Sequence, residues 1–116
     1  MKATDLMLGD WVLCDGEPYQ VAEISAGLLC IDAERALFAT PEDLQPIPLT
    51  PEILEKNGWK RIPSEDTEVW YIFGLVLRKS EEYEGAYLWG LSVYVRSAHE
   101  LQHLVRVLQI EKEIVL

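Results

Sequence analysis

Two cysteines and two histidines are all that this 116-residue chain offers to a metal or a disulfide framework. Cys14 and Cys30 lack the further ligands of a structural zinc site. Both fall in predicted strands, and in a reducing compartment they read as buried free thiols. No run of about eighteen apolar residues occurs, so no membrane span is expected. Met1-Lys2-Ala3-Thr4-Asp5 lacks the basic-then-apolar layout of a secretory leader, and the expected location is the cytoplasm. Positive charge is scarce: ten Lys and Arg stand against twenty Asp and Glu, a net −10. Such a surface repels phosphate and disfavours nucleic acid as a partner. The imbalance is strongest in residues 1–48, where Lys2 and Arg35 face nine acids. It suits a basic protein partner, and equally good solubility. There is no glycine-rich phosphate loop and no recognisable local serine or cysteine nucleophile motif. No catalytic residue is therefore assigned, and no cofactor is expected.

Apolar residues make up 49% of the chain, enough to build a core in one domain or two small ones. The best-punctuated stretch lies in the middle, and it predicts a linker helix over 49–58. Thr50 is a good N-cap, and Pro51 follows at the first helical position, where a missing N–H costs nothing. Glu52 complements the positive end of the helix dipole. Leu49 and Leu54 are spaced to pack as a hydrophobic staple. Asn57-Gly58 supplies a left-handed stop, and Trp59 falls where a Schellman turn wants an apolar contact back onto the helix.

Residues 1–48 read as short strands. Trp11-Val12-Leu13-Cys14 leads to the turn signal Asp15-Gly16 and then to a strand over Tyr19–Ile24. Strands follow at Leu28–Ile31 and Arg35–Ala39. Thr40-Pro41-Glu42-Asp43-Leu44 has the form of one capped helical turn, and Gln45–Pro48 that of an edge strand. This order is that of an SH3-like β-barrel. Leu8-Gly9-Asp10-Trp11-Val12 resembles the first strand of many such barrels. Trp11 and Tyr19 are the candidate binding residues, as the walls of a peptide groove; Trp11 as plain barrel filling is the simpler alternative.

Residues 59–116 predict a ββα(β) unit packed on the barrel. Val69–Leu77 is apolar on both faces, as in a central strand covered on both sides. Ala86–Val95 is its expected partner across a charged hairpin loop. Ser97 and Glu100 form a capping box opening a helix with a core stripe of Leu101, Leu104, Val105 and Leu108. Ile114 and Leu116 offer a last short strand. One helix covers one face of such a sheet, so the other face calls for the barrel or a second copy, and a homodimer is entertained.

His99-Glu100-Leu101-Gln102-His103 matches HExxH, in which two histidines one turn apart hold zinc and the glutamate activates water. Three points oppose that use. At 100° per residue both imidazoles lie opposite the core stripe and are expected to face solvent. Glu100 is already employed as the capping acid. Only Glu111 and Glu113 follow as acids to serve as third ligand.

The segments Gly9–Val12, Pro46–Trp59, His99–Gln102 and Ile110–Ile114 resemble a family of small uncharacterised proteins of Bacteroidetes, often carried by prophages and mobile elements. The likeness runs nearly end to end. It implies an intracellular, phage-associated setting and no site residues. Members of that family often have Asn at the position of His103, which the resemblance sets against a zinc site. The sequence thus reads as an α+β protein and a non-enzymatic module binding an unidentified protein. The alternatives are an acidic mimic of nucleic acid that inhibits a basic protein, and a small zinc metallopeptidase using His99, Glu100 and His103.

Overall fold

A computed structural model describes residues 6–25, 27–63, 67–90, 93–108, 110 and 113–116. The chain is α+β, mostly strands with two α-helices among the described residues. It divides into two compact units, Met1–Ile47 and Pro48–Leu116.

In the first unit, strands β1 (Trp11–Cys14), β2 (Glu17–Gln20) and β6 (Leu44–Pro46) form one sheet in the order β2-β1-β6. Strands β3 (Glu23–Ser25), β4 (Leu28–Asp32) and β5 (Leu37–Ala39) form another in the order β3-β4-β5. All pairings are antiparallel. The expected second strand is broken at Val21-Ala22, so that its two halves serve different sheets. The ladders do not close these two sheets into a barrel. Asp15 and Gly16 turn β1 into β2 with φ of 52° and 81°, the positive values a two-residue hairpin requires. The Thr40 backbone N–H and hydroxyl both donate to Asp43 Oδ2, at 3.1 and 2.9 Å, around the 3-10 turn Pro41–Asp43. Leu6, Val12, Val21, Leu29, Ile31, Ala39 and Leu44 make this unit's core. Buried Asp10 anchors its entry, with Oδ2 accepting from the Met7 N–H at 2.8 Å.

The second unit opens with α1 (Pro51–Lys56). Thr50 Oγ1 accepts from the Ile53 N–H at 3.3 Å. The Trp59 N–H donates to the Leu54 carbonyl and the Gly58 N–H to that of Glu55, which is a Schellman closure, with Gly58 at φ 86°. Leu49, Leu54 and Trp59 are buried in the core of this unit. For that reason α1 is an integral part of the second unit rather than a separate linker.

The expected pair of strands is instead a five-stranded antiparallel meander: β7 (Lys60–Ile62), β8 (Val69–Ile72), β9 (Leu75–Lys79), β10 (Tyr87–Trp89) and β11 (Val93–Val95), in the order β11-β10-β9-β8-β7. Phe73-Gly74, at φ 47° and 82°, cuts Val69–Leu77 into two strands. A turn containing Gly90, at φ 67°, divides Ala86–Val95. The register places Trp70, Leu77, Trp89 and Val93 in one cross-strand row on the core face. On the other face Lys60, Tyr71 and Val76 form a row, with Tyr71 and Val76 exposed, so β8 and β9 are not covered on both sides.

Helix α2 (Ala98–Val107) packs Leu101, Leu104 and Val105 into the core. The expected final strand is not formed at residues 113–116. Ile114 is buried there, and the side chain of Asn57 serves as partner to the backbone. Its Nδ2 donates to the carbonyls of Val115 (2.6 Å) and Ile53 (2.7 Å), and its Oδ1 accepts from the Val115 N–H at 2.7 Å. Lys56 Nζ donates to the Leu116 carbonyl. A primary amide offers the same donor and acceptor as a peptide group, so Asn57 does the work of a strand partner.

Candidate functional site

The HExxH residues occupy the first turns of α2. Ser97 is buried and is the N-cap: its Oγ accepts from the Glu100 N–H at 3.4 Å and donates to Glu100 Oε1 at 3.1 Å. Glu100 Oε1 also accepts from the Arg96 N–H at 3.3 Å. The carboxylate that would activate water in a zinc peptidase is thus tied into the helix cap. His99 Nδ1 lies 3.0 Å from Ser97 Oγ. A hydroxyl has one proton, so when Ser97 gives it to Glu100, His99 Nδ1 is the donor to Ser97.

The two imidazoles do not both face solvent. His99 is 6% exposed and His103 is half-buried. The buried arc of α2 is wider than the apolar stripe alone, taking in Ala98, His99 and Gln102. The rings meet edge to face at 5.7 Å between centroids. Among the described residues no group of three His, Cys, Asp or Glu side chains is placed to hold a metal ion.

Glu100 and His103 instead contribute to an apolar cleft of about 380 Å³ between β11 and α2. Trp89, Val93, Tyr94, Val95, Leu104, Val107 and Leu108 supply the rest of its lining. The cross-strand row that runs from Arg61 through Trp70 and Leu77 ends here, at Trp89 and Val93, on the last strand of the sheet. Strand β11 is the last of the sheet, and among the described residues its ladder partner is β10. Val93 is 41% exposed and Val107 78% exposed. Beside the cleft, Tyr83 and Tyr94 stack edge to face at 5.1 Å, and the Arg96 guanidinium lies 5.3 and 5.6 Å from their ring centres. The Tyr94 hydroxyl donates to Glu82 Oε2 at 3.4 Å; desolvation first, then the Glu82 charge, raises its pKa.

Trp11 and Tyr19 do not share a groove wall. Trp11 pairs with Gln20 and Val12 with Tyr19, so the two aromatic rings project from opposite faces of the hairpin. Tyr19 packs against the core of the first unit, and its hydroxyl donates to Glu17 Oε2 at 3.2 Å. Desolvation and then Glu17 raise the Tyr19 pKa. Both cysteines are free; Cys30 is buried, whereas Cys14 is only half-buried.

A second polar group of residues was not foreseen. Glu68 Oε1 accepts from Trp70 Nε1 at 2.6 Å and from the Tyr87 hydroxyl at 3.2 Å, and Lys79 Nζ lies 3.9 Å from Oε2. Burial above all, then the Glu68 charge, holds the Tyr87 hydroxyl well above the ordinary tyrosine range. The carboxylate is satisfied by these donors, and the group acts as a polar tie between β8 and β10. The cleft residues were legible only in part. Leu104 and Leu108 read as core, while Val107, apolar but off the stripe, was the available signal of an exposed apolar surface.

Among the described residues no helix is long and apolar enough to cross a membrane. The fold and site define a class: a two-unit α+β protein, rich in strands, with an apolar cleft at a sheet edge. Compared with protein-family models, curated proteins and solved structures, the chain gives no significant match.

Proposed function

We propose that this chain is a non-enzymatic cytoplasmic module that binds a protein, in a prophage or mobile-element setting. The observation that carries this reading is the cleft beside β11. Its lining is mostly apolar, and exposed Val93 and Val107 are part of it, as an apolar face of a protein partner requires. A non-enzymatic role is supported by Glu100, whose carboxylate is occupied by the helix cap. An SH3-like identity for the first unit is supported by its strand order: one expected strand bends from the first sheet into the second, and a 3-10 turn precedes the last strand. The setting rests on the family resemblance.

The test is retention of protein from the source cell by the wild-type chain and by Val107→Lys, followed by mass spectrometry. A cleft that binds protein retains a partner through a high-salt wash and loses it in the variant. Equal retention by both chains removes the cleft from the interface. Stoichiometric zinc in protein purified without a histidine tag refutes the non-enzymatic reading.

A further inference from the structure

We propose that the open face of the meander, over β7, β8 and β9, is a docking surface for an acidic amphipathic segment of another protein. It is a second surface, on the opposite side of the sheet from the core, and does not depend on the cleft.

An antiparallel sheet with one covered face normally turns polar residues to water on the other. This one does not. The register puts Lys60, Tyr71 and Val76 in one outward row, and Ile62, Val69, Arg78, Leu88 and Tyr94 in the next. All but Lys60 and Arg78 are apolar or aromatic. Tyr71 and Val76 are direct cross-strand partners, and Ile62 follows Lys60 by two residues on the same face. Ile62 is 40% exposed, Tyr71 42% and Val76 39%. Side chains of this kind, adjacent rather than scattered, mark a surface that another molecule covers.

Charge identifies the partner. Acids outnumber bases twenty to ten in the chain, yet neither row holds an acid, and Lys60 and Arg78 are both exposed. Among the described residues neither is joined in an ion pair. Arg96 adds a third cation at the β11 end, on the rings of Tyr83 and Tyr94. Exposed charges beyond a Debye length of about 10 Å are screened, so the cations at hand outweigh the acids of the first unit here. Glu81 and Glu82 approach from the loop after β9, where they share a hollow with Arg78, Leu88 and Tyr94. Glu82 is occupied there by the Tyr94 hydroxyl. The footprint is therefore placed at the other end, on Lys60, Ile62, Tyr71, Val76 and the guanidinium of Arg78.

Other occupants fit less well. A second copy sets these cations against their own equivalents. A nucleic acid needs a longer run of phosphate contacts than two or three cations supply. A basic segment meets like charge. A segment with an apolar side flanked by carboxylates meets both features. Its apolar residues cover Tyr71 and Val76, and its carboxylates reach Lys60 and Arg78, the latter able to grip one in a two-pronged contact.

The test is an amide-resolved NMR titration of the full chain with two short synthetic peptides, one repeating Leu-Glu-Glu-Leu and the other Leu-Lys-Lys-Leu. The acidic peptide should give saturable shifts centred on β7, β8 and β9, weakened by added salt. The basic one should move those amides only at concentrations about tenfold higher or more. Arg78→Glu and Tyr71→Ser alter exposed side chains, and each should raise the dissociation constant of the acidic peptide about tenfold. Val107→Lys, in the cleft, should leave it unchanged. The proposal is overturned if the acidic peptide shows no saturable binding, if its shifts centre on the cleft or the first unit, or if both peptides bind those amides equally. It is also overturned if oligothymidylate saturates the same amides and the acidic peptide does not, which assigns the face to nucleic acid. The wild-type map decides the outcome even where a variant fails to fold.

Discussion

Asn57 is the residue on which the second unit's last segment depends. It is 3% exposed and makes three hydrogen bonds to backbone groups, two of them to Val115, 58 residues away. Removing the amide takes away the partner of both Val115 backbone groups, while the Ile53 carbonyl keeps the Asn57 backbone N–H at 3.1 Å. Asn57→Ala should lower stability by about 2–3 kcal/mol, read from the urea midpoint. Asn57→Asp should not rescue it, because a carboxylate then faces the Ile53 and Val115 carbonyl oxygens. Tyr87 makes a prediction of another kind. Its folded pKa is raised, so above about pH 10 the folded chain keeps a proton that the unfolded chain has lost. By linkage, its contribution to stability is complete below about pH 10 and is lost as the pH rises beyond it. Urea midpoints should fall on going alkaline, and Tyr87→Phe should reduce that slope.

Among the elements, the caps were the most legible. Thr50, Gly58 and Ser97 act through neighbours a few residues away, so their roles are set by local geometry that a sequence displays. Turns were legible only where the residue suits the conformation. Asp15-Gly16 announces a hairpin; Phe73-Gly74 does not, because a bulky side chain is disfavoured at positive φ. That one residue made Val69–Leu77 look like a single buried strand. Phe73 is 72% exposed and has little packing to lose. Phe73→Asn should therefore stabilise the hairpin by about 1 kcal/mol, seen as a higher thermal midpoint. An unchanged or lower midpoint means that the ring has a partner that offsets its strain. The separation of Trp11 from Tyr19 was within reach of the sequence, since a two-residue turn at Asp15-Gly16 fixes the register. The burial of His99 was not, because it depends on what packs over a helix rather than on the helix's own periodicity.

At the scale of the molecule, the two units have separate cores. Leu29 is fully buried in the first. Leu29→Ala should destabilise that unit by about 2–5 kcal/mol while amide exchange in β7–β11 stays as in wild type. Loss of protection in both units together means that they unfold as one. Most of the chain's net negative charge lies in the first unit, and this asymmetry was plain from composition alone. The position of the cleft was not plain, because it took the fold to bring Val93 and Val107 into one lining. The meander also has a consequence in time. Each of its strands lies beside its neighbour in sequence, so pairing can spread from hairpins that close within microseconds. The tie from Asn57 to Val115 must bring together distant parts of the chain and should be the late step. Refolding followed by two probes should show sheet signal rising ahead of protection at the Val115 amide, with the tail docking onto a surface already assembled.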